Sequence, residues 1–184
     1  MVGSACISFF HHHKKLMRFL LILFLTISTL AADPVDIASR YIGERETQGF
    51  NRSPFIDRIN ALAGVDMGSP YCASFVSFVM REAGLKNAPY SAWSPDWFKN
   101  PKYLVKFSDV QRNDIGGLYF SNKGRIAHVF IVAEKGKAFT KTIEANTSPD
   151  SGDLSAKSRE GDGIFKRYRP NKLLEQPRNK FSRF

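Results

Sequence analysis

The sequence predicts an α+β fold, with helices from the first half of the chain packed on an antiparallel sheet built by the second. Three observations lead there. Helical apolar spacing is confined to residues 34–84, alternating apolar runs to residues 118–169, and the alternating runs follow one another through tight turns rather than helices.

Pro34 to Ile42 reads as a short helix ending near Gly43, with Val35, Ala38 and Ile42 on one face. Ser53-Pro54 supplies an N-cap and a proline at the first helical position; Phe55, Ile59 and Leu62 follow at helical spacing, and Gly64 stops the helix. A third start is expected at Ser69-Pro70. From Tyr71 to Ala83 the chain is nearly continuously apolar until Gly84, which describes a helix buried in the core. Residues 87–115, rich in Pro, Asn, Asp, Ser and aromatics, read as a long surface connection with one short helix. Strands are expected at Leu118–Ser121, Ile126–Glu134, Ala138–Ala145 and Ile164–Arg169, the second and third joined by a turn at Lys135-Gly136. Thr147–Gly163 reads as a polar loop and residues 171–184 as a poorly ordered basic tail. No internal repeat or second domain is visible.

Ahead of this domain, Lys14, Lys15 and Arg18 precede an uncharged apolar stretch from Phe19 to Ala32, with Met17 as a second candidate start. A basic segment, a short apolar segment and small residues at its end describe a signal peptide over residues 1–31, cut after Ala31. The stretch is shorter than the roughly 20 residues of a membrane-spanning helix, so the expectation is an exported protein, periplasmic or extracellular, with no span after leader removal. Losing the leader lowers the net charge from +10 to +7. That charge suits an acidic wall polymer, and no helix-turn-helix, RNP-like motif or long basic run points to nucleic acid. The 184-residue chain has two cysteines, Cys6 and Cys72, and four histidines, His11, His12, His13 and His128. After the leader, one of each is left, which excludes an internal disulfide framework and a Cys/His zinc cluster.

Cys72 is placed at the third residue of the Ser69-Pro70 helix, where free N–H groups and the helix dipole favour thiolate. A lone cysteine is more commonly a small buried hydrophobe, and a lone histidine on an apolar strand a structural polar plug. Alternation puts His128, Phe130 and Val132 on one face of their strand. Glu144 and Asn146 share a face of the neighbouring strand, where either could accept the imidazole Nδ1–H and leave Nε2 toward the sulfur.

A cysteine at a helix start, then a histidine on a strand, then Glu/Asn on the next, is the order of papain-like thiol hydrolases. Gly68-Ser-Pro-Tyr-Cys72-Ala-Ser-Phe-Val-Ser, Ala127-His128-Val129 and Ile143-Glu144-Ala-Asn146-Thr-Ser resemble the three signature blocks of CHAP domains, cysteine, histidine-dependent amidohydrolases and peptidases related to NlpC-type wall peptidases. The similarity runs from Ile42-Gly-Glu-Arg-Glu through Gly161-Asp-Gly and Arg167 to Pro170, giving a CHAP-like domain over residues 32–170. One residue departs from the pattern: Phe130 stands where relatives often have glycine, and near the site it would narrow the cleft.

The resemblance implies a papain-like fold and hydrolysis of peptidoglycan amide bonds, as an amidase or an endopeptidase. Cys72 would be the nucleophile, His128 the base, Glu144 the residue orienting it and Asn146 a fourth polar member. A monomer is expected, with no metal or other cofactor needed for this chemistry. Tyr71, Trp93 and Trp97, with Tyr103, are candidates to line the substrate cleft, although such aromatics serve as satellite core at least as often. Two other readings stay open on the residues alone: a secreted binding protein whose Cys–His pair no longer turns over, and a thiol protease or transglutaminase-like enzyme acting on proteins.

Overall fold

Capping chemistry decides where the first two helices begin. In the computed structural model, which describes residues 32–149 and 161–184, helix α1 (Pro34–Ser39) starts behind Asp33, whose carboxylate accepts from the Asp36 amide. Helix α2 (Pro54–Leu62) starts behind Ser53, whose hydroxyl accepts from the Ile56 amide. Helix α3 (Cys72–Glu82) has no side-chain cap at all. It begins two residues later than the Ser69-Pro70 signal suggests, and every side chain from Cys72 to Met80 is buried.

Six strands form one antiparallel sheet: β1 (Leu104–Val105), β2 (Ile115–Phe120), β3 (Arg125–Lys135), β4 (Phe139–Thr147), β5 (Gly163–Pro170) and β6 (Lys180–Ser182), in the order β1-β6-β2-β3-β4-β5. Helices α1 to α3 cover one face, packing Val35, Ile56, Ile59, Phe75 and Val79 against Ile131, Ile143, Ala145 and Ile164. Burying each large apolar side chain there stabilises the fold by about 1.5–3 kcal/mol. The opposite face holds a second apolar cluster of Val110, Leu118, Phe130, Val132, Leu174 and Phe181. The chain is thus mixed helix and antiparallel sheet, as its pattern predicts, with strands β1 and β6 and the short helix α4 (Asn171–Leu174) added; α4 sends Leu174 to the face away from α1 to α3.

Three expectations are corrected. Residues 171–184 are no loose tail: β6 inserts between β1 and β2, Phe181 fills the second cluster, and Arg183 binds the Asp114 carboxylate at 2.7 and 2.9 Å. Residues 87–115 are more structured than a surface connection, with 3-10 turns at Ser94–Phe98, Pro101–Tyr103 and Phe107–Asp109 plus β1. Phe130 does not narrow a cleft. It is fully buried in the second cluster, and its ring lies over Gly116, its ladder partner on β2, where a Cβ would stand 2.2 Å from the ring. The glycine makes the room that the phenylalanine needs. The leader expected at residues 1–31 lies outside the described residues, as does most of the polar loop before β5. Among the described residues no helix is long and apolar enough to cross a membrane.

Candidate active site

The missing cap on α3 leaves Cys72 as the first helical residue, at the end of a helix whose opening N–H groups have no intrahelical acceptor. The loop before it is held in place from two sides: Asn51 Nδ2 donates to the Gly68 carbonyl at 3.1 Å, and Asn60 Nδ2 to the Ser69 carbonyl at 3.0 Å. Cys72 is free of disulfide, 4% exposed, and lines a cleft of about 350 Å³ with Ser69, Trp93, Ser94, Arg125 and Ala127.

Strand geometry brings histidine to this helix end. The β3–β4 ladder runs only from Ile131↔Ile143 to Lys135↔Thr140, so His128 and Glu144 lie past its last pair. On β3 the Val132 amide donates toward β2, to the Asp114 carbonyl. Alternation therefore turns the Val129 amide to the side where β4 has left the ladder, where it helps to lower the Cys72 thiol. A break in the β2–β3 register between Leu118 and Tyr119 lets Ala127, which lines the cleft, and His128 sit side by side at this point.

His128 is fully buried, and its Nε2 bonds Glu144 Oε2 at 2.8 Å. Glu144 is gripped in turn by Arg169, Nε to Oε1 at 2.8 Å and Nη2 to Oε2 at 2.6 Å, and by the Thr142 hydroxyl at 2.5 Å. The imidazole orientation reverses the expected one. Nδ1 has no hydrogen bond of ordinary geometry, and it is the nitrogen left for the sulfur, close enough that thiol and imidazole shift each other's titration. The reason is position: the sulfur is placed where the Val129 amide acts on it, beside the histidine's own backbone and hence its proximal nitrogen. The carboxylate, drawn back by Arg169, meets the distal one.

These contacts arrange charge in alternating sign. Burial would raise the Glu144 carboxyl, but the Arg169 charge and hydrogen bonds, with His128, hold it well below its ordinary value. Burial would lower His128, yet its hydrogen bonds to Cys72 and Glu144 push it up to about 9. Burial would raise the Cys72 thiol, and the imidazole, the Val129 N–H and the Ser94 hydroxyl, 3.9 Å from the sulfur, together bring it below its ordinary value. Around pH 7 the row reads imidazolium, carboxylate, guanidinium, with the Cys72 thiol at its end eased toward thiolate. Such an arrangement presents an activated nucleophile beside a proton donor. Among the described residues no group of three or more His, Cys, Asp or Glu side chains could hold a metal ion.

The other candidates separate. Asn146 sits in a β4–β5 register break at φ 54°, fully buried, with neither side-chain amide atom hydrogen-bonded. Trp93 is 49% exposed on the cleft wall. Trp97 is 1% exposed, donating its indole N–H to the Ser91 carbonyl at 3.1 Å and meeting the Phe184 ring edge-on. It is core rather than cleft lining, because the C-terminal strand covers it. Tyr103 also packs on Phe184. Tyr71 is buried too, its hydroxyl donating to Glu46 Oε1 at 3.3 Å, and burial beside that carboxylate raises its pKa.

Sequence reasoning passes over Arg169 and Ser94. The alternation of buried Arg167 and Arg169 with exposed Lys166 and Tyr168 is the signal that a charged face of β5 points inward. Fold and site together define an α+β protein with a buried cysteine–histidine–glutamate relay at an uncapped helix start. No protein-family model, curated protein or solved structure matches the chain.

Proposed function

We propose that this chain is an exported cysteine hydrolase of the CHAP kind, on a papain-like scaffold, cleaving amide bonds in peptidoglycan through a thioester. The observation that carries the reading is the uncapped first residue of α3, which delivers Cys72 to a histidine already oriented and charged by Glu144 at the floor of a cleft.

In the proposed reaction the Cys72 thiolate attacks the amide carbonyl, and the Cys72 backbone N–H, free at the helix start, donates to the forming oxyanion. As the C–N bond breaks, the His128 imidazolium gives its proton to the leaving amine nitrogen. Neutral His128 then takes a proton from water as its oxygen attacks the thioester carbonyl. Expulsion of the sulfur restores the thiolate–imidazolium pair and frees the acid product. Glu144 holds the imidazole in one orientation throughout. The amide between N-acetylmuramic acid and L-Ala, a stem-peptide bond and a cross-bridge bond are all served by these steps.

Digesting purified sacculi with wild type and Cys72→Ala, and identifying new amines by mass spectrometry, tests the reading. Wild type releases one class of new amine and Cys72→Ala none. Release by Cys72→Ala overturns the mechanism, and a wild type that binds sacculi but releases nothing makes the chain a binding protein on this scaffold.

A further inference from the structure

We propose that a groove between β1, β6 and the turn after α4 binds a linear polyol phosphate, a polymer of phosphodiesters, at a site separate from the Cys72 cleft. The proposal does not rest on the hydrolase reading.

Charge is unevenly spread along the chain. Residues 32–98, which build α1 to α3, hold 6 Lys and Arg against 8 Asp and Glu, whereas residues 99–184, which build the sheet, hold 18 against 9. Several cations of the basic half are matched by carboxylates: Arg112 by Asp33 and Asp36, Lys141 by Glu134, Arg169 by Glu144 and Arg183 by Asp114. Lys106, Arg178 and Lys180 are exposed and form no ion pair among the described residues.

These three gather at one end of the sheet. Lys106 follows the edge strand β1 and Lys180 opens its neighbour β6. Both line a hollow of about 360 Å³ floored by Leu174 and Phe181, which are 1% and 3% exposed. A second hollow of about the same volume shares Gln176, Pro177 and Asn179 with the first and is lined by Arg178, whose guanidinium carbon stands 5.0 Å from the centre of the Tyr119 ring. The shared turn is fixed, because Asn179 accepts from the Tyr119 amide and donates to the Leu173 carbonyl, both at 2.8 Å. Glu175 is the one acid lining the two hollows, and no residue of either lines the Cys72 cleft.

Cations at the rim above an apolar floor suit a chain whose anionic groups alternate with short carbon segments, and an ammonium takes a phosphate as a point charge. A single-stranded nucleic acid would need open aromatic faces for its bases. Here the Phe107 ring has the Lys135 ammonium 4.6 Å from its centre, and the Tyr119 ring has Arg178. A bilayer would need apolar side chains that project from the surface, whereas Leu174 and Phe181 lie at the bottom of the hollow.

The test titrates poly(glycerol phosphate) calorimetrically into wild type and into two double variants of equal net charge. Lys106→Glu/Lys180→Glu is expected to weaken binding at least about tenfold. Lys86→Glu/Lys166→Glu, placed after α3 and on β5 at the opposite edge of the sheet, is expected to stay within about threefold of wild type. Lys106→Gln/Lys180→Gln, which removes charge without adding repulsion, gives an intermediate loss, and wild-type affinity falls as salt rises. Absence of wild-type binding, or equal weakening by the two Glu pairs, overturns the groove. Tighter wild-type binding of a charge-matched single-stranded DNA, or of anionic phospholipid vesicles, overturns the polymer assigned to it.

Discussion

The two faces of the sheet are both buried, one by apolar packing throughout and the other in part by paired charges. Under α1 to α3, Ile131, Ile143, Ala145 and Ile164 meet apolar helix faces, and nothing there needs a partner beyond shape and volume. On the other face the second apolar cluster covers β2 and β3, but alternation along β4 and β5 turns Thr142, Glu144, Arg167 and Arg169 inward, and each of these must be matched by hydrogen bonds or opposite charge. An apolar face accumulates stability with area. A charged face at best recovers its desolvation cost, and what it adds is a fixed sequence of charges that ends at a sulfur. The site lies at the seam between them, where β3 and β4 part and the first residue of α3 reaches the charged row.

The strongest way to break this contrast is to remove one member of the row. Arg169→Met leaves the Glu144 carboxylate buried without its main partner and is expected to cost about 3–5 kcal/mol. Ile143→Val, the neighbouring residue on the apolar face, is expected to cost about 0.5–1.5 kcal/mol. The double change Glu144→Gln/Arg169→Met regains much of the larger loss because it discards both charges together. Urea unfolding at one pH measures all three. Should Arg169→Met cost no more than Ile143→Val, the charged row is not held together as described.

The same contrast governs what could be read from the chain. The apolar face was legible, since it rests on spacing: the capped starts at Asp33 and Ser53, the glycine stops and the strands lie within a few residues of their expected places. Cys72, His128 and Glu144 were legible as residue types in an order. Arg169 was not. It stands opposite Thr140 in the ladder while Glu144 stands opposite Phe165, so nearest-neighbour pairing does not join them; only a long side chain running along the strand does. The tail escapes a reading from sequence for a related reason. Its basic residues suggest solvent, yet Phe181 and Phe184 carry the packing energy, and their partners Phe130 and Trp97 are remote in sequence. Imidazole orientation depends on which backbone amide holds the sulfur, and no sequence pattern encodes that.

A smaller effect sharpens the contrast through pH. His128, raised from 6.5 to about 9, contributes stability that is complete below 6.5 and lost as pH rises through about 9. Cys72, lowered from 9.0, contributes with the opposite sign: its share is complete above 9.0 and lost as pH falls through its depressed value. Between pH 6.5 and 9 the folded state keeps the imidazole proton while the unfolded state keeps the thiol proton. The two slopes oppose each other wherever the folded thiol is ionised, so wild-type stability is expected to vary less with pH than the His128 contribution alone would make it. Cys72→Ser removes the thiol's titration and leaves the His128 contribution, still supported by Glu144, uncompensated. Its stability is expected to fall with rising pH by at most about 1 kcal/mol per unit. Urea midpoints at pH 6.5, 7.5 and 8.5 measure it, and a flat Cys72→Ser profile would show that Glu144 alone does not hold the His128 proton.

The smallest effect on stability is expected at Asn146, and its sign is the informative part. Every other inward polar side chain named on this face has a partner, whereas the Asn146 amide has none and its backbone is held in the left-handed region. An unpaired buried amide costs about 1–3 kcal/mol, and the left-handed backbone adds strain that glycine does not suffer. Under the proposed function, a residue kept under those terms works for the reaction rather than for the fold. Asn146→Gly relieves both burdens at the cost of some unfolded-state entropy, so it is expected to raise stability by on the order of 1 kcal/mol. Turnover of muropeptides should fall at least tenfold under the proposed function, with Cys72 alkylation left near the wild-type rate because the Cys72–His128–Glu144 contacts do not pass through this side chain. Lower stability in Asn146→Gly would instead make the amide part of the frame, and the charged face would then hold no residue reserved for substrate.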